Sequence, residues 1–146
     1  AEHLVETASD LPGAPNELSL YAAEDYWHGK GGALRRYSLR MDGFTSVHAS
    51  LKGGELITQP IVFAGKALSV NFATSAAGSI WVELQTADGK PIEGFCLADS
   101  VELFGDTLDR KVTWKEGADL SALAGKPVRL RFKLKDADLY SFQFQK

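Results

Sequence analysis

Several things are scarce in this chain, and each scarcity removes a class of protein. There is one cysteine, Cys96, in 146 residues. An internal disulfide and a multi-cysteine metal centre are therefore excluded. Cys96 lies between Phe95 and Leu97 and reads as an inert, partly buried thiol. No apolar run is long enough to cross a bilayer as a helix, and no signal-peptide pattern opens the chain, so no membrane partner is expected. A large excess of one charge is also missing. Sixteen Lys and Arg oppose nineteen Asp and Glu, for a formal net charge of -3. That balance offers nothing to a nucleic acid, whose binders are usually strongly basic. The three histidines, His3, His28 and His48, have no metal-binding spacing, and neither a nucleophile elbow nor a phosphate loop occurs. Long helical periodicity is absent as well.

What is present is alternation. Ser79 to Gln85 runs with period two, placing Ile80, Val82 and Leu84 on one face. Val128, Leu130, Phe132 and Leu134 alternate in the same way with Arg129, Arg131, Lys133 and Lys135. Further strands are expected over 18–22, 34–41, 44–51, 55–58, 61–63, 68–73, 91–97, 111–115 and 139–144. Asp88-Gly89 is a hairpin signal, and Ala76-Ala77-Gly78 reads as a link between two strands. One short helical turn is expected near 119–125, with Asp119 as its cap. The apolar faces predict a core of Leu39, Val47, Leu68, Val70, Phe72, Ile80, Val82, Leu84, Val112, Leu130, Phe132, Phe142 and Phe144.

Strands with one apolar and one polar face imply antiparallel sheets. The expected fold class is all-β, an antiparallel β-sandwich of the jelly-roll type, with a closed barrel as the alternative. Residues 1–16 read as a linker or N-terminal arm because of Leu11-Pro12-Gly13-Ala14-Pro15, and 17–146 as the β-sandwich domain. The chain opens on Ala1-Glu2-His3, as expected of a mature secreted chain or, preferably, a fragment of a longer protein.

Two constellations carry the functional expectation. Trp81 shares the outward face of its strand with Ser79, Glu83 and Gln85, and with Asn71 further along. An outward aromatic beside hydrogen-bonding side chains suits the apolar face and hydroxyls of a sugar. A loop holds Glu24, Asp25, Tyr26, Trp27 and His28, in which Tyr26 and Trp27 would stack while Asp25 and His28 hydrogen-bond hydroxyls. The ligand-binding set is thus Trp81, Glu83, Gln85, Asn71, Tyr26, Trp27, His28 and Asp25, with no catalytic residue assigned. The Arg and Lys on 129–135 are read first as a solvated face. If they are not, they favour a sulfated or uronic-acid glycan. No cofactor is required. A structural Ca2+ remains open, with Asp99, Glu102, Asp106 and Asp109, or Asp136 and Asp138, as oxygen sources.

Leu34-Arg35-Arg36-Tyr37-Ser38-Leu39-Arg40-Met41-Asp42-Gly43-Phe44, Gly54-Glu55-Leu56-Ile57-Thr58-Gln59-Pro60, Asp88-Gly89-Lys90-Pro91-Ile92-Glu93-Gly94-Phe95 and Asp136-Ala137-Asp138-Leu139-Tyr140-Ser141-Phe142 carry a resemblance. Over roughly residues 18–146 the chain resembles the C-terminal β-sandwich modules of glycoside-hydrolase-like proteins from planctomycetes and related environmental bacteria. The resemblance implies a jelly-roll accessory module beside a sugar-active catalytic domain, and it transfers no binding residue. The expectation is therefore a non-catalytic carbohydrate-binding module of a secreted polysaccharide-degrading enzyme, extracellular or periplasmic. Its partners would be a polysaccharide or oligosaccharide and the adjacent catalytic domain. The alternatives are a structural domain that packs on that neighbour without binding sugar, and a small glycan-active enzyme.

Overall fold

A computed structural model describes residues 3–25, 29 and 32–146. Among these, nine strands and a single 3-10 turn form an all-β protein of antiparallel sheets. The chain divides into two units, Ala1–Phe44 and Thr45–Lys146.

The first unit is a three-stranded antiparallel sheet of β1 (Val5–Thr7), β2 (Glu17–Glu24) and β3 (Ala33–Arg40), in that order. The stretch expected to be a loose arm contributes β1. Its anchor is Arg36 on β3, whose guanidinium donates to Ser19 Oγ (2.7 Å), Asp10 Oδ1 (2.9 Å), Thr7 Oγ1 (2.9 Å), Ala8 O (3.0 Å) and Glu17 Oε2 (3.2 Å). A rigid fork of donors suits this task, because each bond it makes costs little additional side-chain entropy. Leu39 is half-buried rather than a core residue.

The second unit contains β4 (Val47–Ala49), β5 (Gly54–Ile57), β6 (Ile61–Val62), β7 (Ala67–Thr86), β8 (Asp106–Lys111) and β9 (Pro127–Gln145). β9 is central. It pairs with β7 on one side and with β6, β5 and β4 in succession on the other, and β8 pairs with β7. Two pairs of expected short strands are each one long strand. β7 runs through the expected link at Ala76-Ala77-Gly78, and β9 runs through Asp136.

Continuity across these points comes from pairing. Residues 67–74 of β7 face 137–145 of β9, and 79–86 face 128–135, with an irregularity between Thr74 and Ser79. Asp136 adopts φ 43°, a left-handed conformation that Asp tolerates better than most residues. A bulge of this kind bends the sheet and changes which alternate residues face inward. Hence Leu130, Phe132 and Leu134 are buried before it, and Ala137 and Leu139 after it. The backbones close tightly here: a Cβ on Gly78 would stand 2.2 Å from Asp136 O.

Both halves of β7 and β9 feed one apolar cluster that includes Leu68, Val70, Phe72, Ile80, Val82, Leu84, Val112, Leu130 and Phe132, as expected from alternation. Trp114 joins it, donating Nε1–H to Val82 O at 2.9 Å and meeting Phe95 edge-on. Phe144 packs against the cluster from its margin, stacked on Phe63 with ring centroids 3.9 Å apart. Two expected core residues stay outside. Val47 lies on the short flanking strand β4, and Phe142 follows a second irregularity, opposite Asn71 and Phe72; both are exposed.

The expected strand over 91–97 is a series of turns with an isolated bridge at Pro91. The expected acidic loop contributes β8 in its second half. Residues 91–103 instead close the free edge of β7, through Ile92 N–H to Leu84 O, Leu84 N–H to Phe95 O, and a reciprocal pair between Ile80 and Leu103. The helical turn is confined to Ser121–Leu123, and Asp119 Oδ1 accepts the Ser121 N–H rather than forming a regular cap.

Candidate binding site

The outer face of the second unit is built by register. Glu55 on β5, Lys133 on β9 and Trp81 on β7 stand directly opposite one another in adjacent strands. One step along, Arg131 stands opposite Glu83, and Arg129 opposite Gln85. Strand alternation sends all of these to the side away from the core.

This face is only partly wet, and three residues of the expected ligand-binding set are buried in it. Glu83 and Gln85 are 3% and 6% exposed, and Asn71 is 3% exposed. The turns at 91–97 reach over β7, and Glu83 becomes their anchor. Its carboxylate accepts Gln85 Nε2 at 2.8 Å, Leu97 N–H at 3.0 Å and Arg131 Nη1 at 3.3 Å. Burial pushes the Glu83 carboxyl up. The bonds from Gln85, Leu97 and Arg131 outweigh that and hold it below the usual carboxylate range. Glu83 and Gln85 thus brace the fold and have little surface to offer a ligand.

The basic row also divides by function. Arg129 donates to Ala87 O (2.9 Å) and Thr58 O (3.1 Å), fastening a turn and a strand end to β9. Arg131 bridges Glu55, at 3.2 and 2.7 Å, and Glu83. The Glu55 hydrogen bond is the main cause of a raised Arg131 pKa, and the same bond lowers that of Glu55. These two arginines are cross-links of the sheet, not a solvated face. Lys133 and Lys135 are exposed.

Trp81 is half-buried and keeps a surface on an open groove of about 440 Å3, lined also by Leu51, Lys52, Glu55, Lys133 and Lys135. The Lys133 ammonium lies over the indole, 5.9 Å from the ring centroid. That is near the outer limit of a cation–π contact, so the attraction is weak. The groove therefore presents an apolar plate, exposed Leu51, and three ammonium groups around one carboxylate already engaged by Arg131. No sequence signal marks Lys52 and Leu51, because they reach the groove through the turn between β4 and β5.

Tyr26, Trp27 and His28 lie outside the described residues. Asp25 is exposed, with φ 57°. Its neighbour Glu24 pairs with Arg35 at 2.8 Å and accepts the Tyr37 hydroxyl. The acidic residues weighed for Ca2+ are largely taken by protein partners. Asp99 accepts Cys96 Sγ and Lys115, Asp109 accepts Ser69 and Gln145, and Asp138 accepts Ser46 and pairs with His48. Among the described residues, no three His, Cys, Asp or Glu side chains converge on a metal position. A second hollow of about 210 Å3, lined by Glu93, Phe95, Glu116 and Asp119, is acidic in character. No described helix is long and apolar enough to cross a membrane.

Compared with protein-family models, with curated proteins and with solved structures, the chain matches none of them.

Proposed function

We propose that this protein is a non-catalytic carbohydrate-binding module. Its sheets would form a jelly-roll β-sandwich, and in its parent protein it would stand beside a polysaccharide-degrading catalytic domain, outside the cytoplasm. The observation that carries this reading is Trp81, an aromatic set in an open groove and flanked by exposed hydrogen-bond donors. Such a pairing matches the apolar face and oxygen-rich rim of a sugar ring.

An open groove leaves most of a glycan hydrated, so dissociation constants between about 1 μM and 1 mM are expected, roughly -8 to -4 kcal/mol. The test is affinity electrophoresis of the whole chain against neutral and acidic polysaccharides. Trp81→Ala should weaken binding at least about tenfold, some 1.4 kcal/mol, with an unchanged circular-dichroism spectrum. Undiminished binding would remove Trp81 from the site. A second reading, a structural domain packed on a catalytic neighbour, draws on the exposed Ile57 and Val62 at β5 and β6. Failure to bind any glycan would favour it.

A further inference from the structure

We propose that the Trp81 groove selects acidic polysaccharides, with Lys52, Lys133 and Lys135 contacting uronate carboxylates or sulfate esters. This rests on the carbohydrate-binding reading and adds the chemical class of the ligand. The first support is a charge imbalance confined to the groove. The chain as a whole is acidic, at -3. Yet the groove is lined by three lysines and one carboxylate, Glu55. Glu55 already receives two bonds from Arg131, at 3.2 and 2.7 Å. Among the described residues, no carboxylate forms an ion pair with Lys52, Lys133 or Lys135.

The second support is the contrast along one strand. Arg129 and Arg131, on the same face of β9, spend their donors on protein acceptors. Among the described residues Lys133 and Lys135 make no such hydrogen bonds; Lys133 lies loosely over Trp81 and reaches Glu55 only through its charge, while Arg131 makes the direct bonds to that carboxylate. Clustered positive charge that outnumbers the carboxylates beside it is unfavourable through self-repulsion, and an incoming anion relieves it. Geometry is the third support. Lys133 and Lys135 are two residues apart on one face of an extended strand, so their stems leave the backbone about 7 Å apart. Trp81 faces Lys133 across the strand pair, and Ser79 faces Lys135. A chain laid along β9 would meet the indole and successive ammonium groups together.

The experiment is affinity electrophoresis of the whole chain in gels containing polygalacturonate, chondroitin sulfate, a neutral xylan or inorganic polyphosphate. The Lys133→Gln/Lys135→Gln double variant is run alongside. Both lysines are exposed, so the variant should keep its circular-dichroism spectrum. We expect retardation by polygalacturonate or chondroitin sulfate; retardation by polygalacturonate names the carboxylate, and retardation by chondroitin sulfate that is lost in a gel of desulfated chondroitin names the sulfate. The association constant should fall about tenfold in the double variant. It should also fall steeply between roughly 0.05 and 0.5 M NaCl, where screening shortens from about 14 to about 4 Å. Binding to xylan alone, insensitive to salt and to the lysine changes, would overturn the acidic selectivity while leaving the carbohydrate-binding reading standing. Polyphosphate bound as tightly as either acidic glycan would also overturn it, showing attraction to any polyanion. Retardation by none of the four would sink the selectivity and the carbohydrate-binding reading together.

Discussion

Replacing Glu83 with alanine removes a carboxylate that three donors share in a site 3% exposed. A hydrogen bond to a charged group contributes about 1.5–3 kcal/mol, and a buried donor left without its acceptor bears a desolvation cost of similar size. The three donors do not suffer equally. Arg131 keeps its two bonds to Glu55 and a side chain 27% exposed, so its loss is small. The bond from Gln85 Nε2 is buried and that from the Leu97 N–H is partly buried, and among the described residues Glu83 is the acceptor that serves each. Two substantial losses at the lower end of the range give about 3–4 kcal/mol. With a urea m-value near 1.75 kcal/mol/M, the unfolding midpoint should fall by about 2 M. The assay is urea unfolding followed by tryptophan fluorescence in a Trp27→Phe background, so that Trp81 and Trp114 of the second unit give the signal. Hydrogen exchange adds a local readout, since the Leu97 amide should lose protection. Lys133→Ala, on the same face but exposed, should cost no more than about 0.5 kcal/mol. Equal midpoint shifts for Glu83→Ala and Lys133→Ala, with Leu97 still protected, would refute the bracing role.

The second unit should lose stability in acid. Because the folded pKa of Glu83 is held below its unfolded value, the native state binds fewer protons. Its contribution is therefore complete above the unfolded value of about 4.3 and is lost as pH falls through the folded value. Glu83→Gln should be less stable at neutral pH and show a shallower acid limb in thermal melts from about pH 5 to pH 2; an unchanged limb would assign the acid sensitivity to other groups. Gly78→Ala should cost about 2–3 kcal/mol or more, since its Cβ would meet the backbone oxygens of Asp136 and Lys135 at 2.2 and 2.9 Å. A thermal midpoint equal to that of the parent chain would mean the two strands can separate there freely.

Alternation along the chain was sufficient to specify the all-β class and the inward faces of β7 and of the first half of β9. Ile80, Val82, Leu84, Leu130 and Phe132 are each fully buried, as period two requires of a strand with one apolar face. It also sent Trp81 to the opposite face, where it retains a surface on the groove. Strand ends were less legible. Ala76-Ala77-Gly78 and Asp136 read as breaks because local conformation favours a turn there, whereas pairing between β7 and β9 on both sides carries each strand through a bend. The fate of the polar face was decided entirely by tertiary structure. Nothing near Glu83 in the sequence announces that Leu97 will donate to it, or that Arg131 will bridge it to Glu55. Identical-looking basic positions on one strand likewise became cross-links at Arg129 and Arg131 and exposed ammonium groups at Lys133 and Lys135, according to which carbonyls and carboxylates distant segments brought within reach. Periodicity reports which side of a strand a residue takes; whether that side meets water depends on segments folded over it, and a one-dimensional pattern holds no record of them.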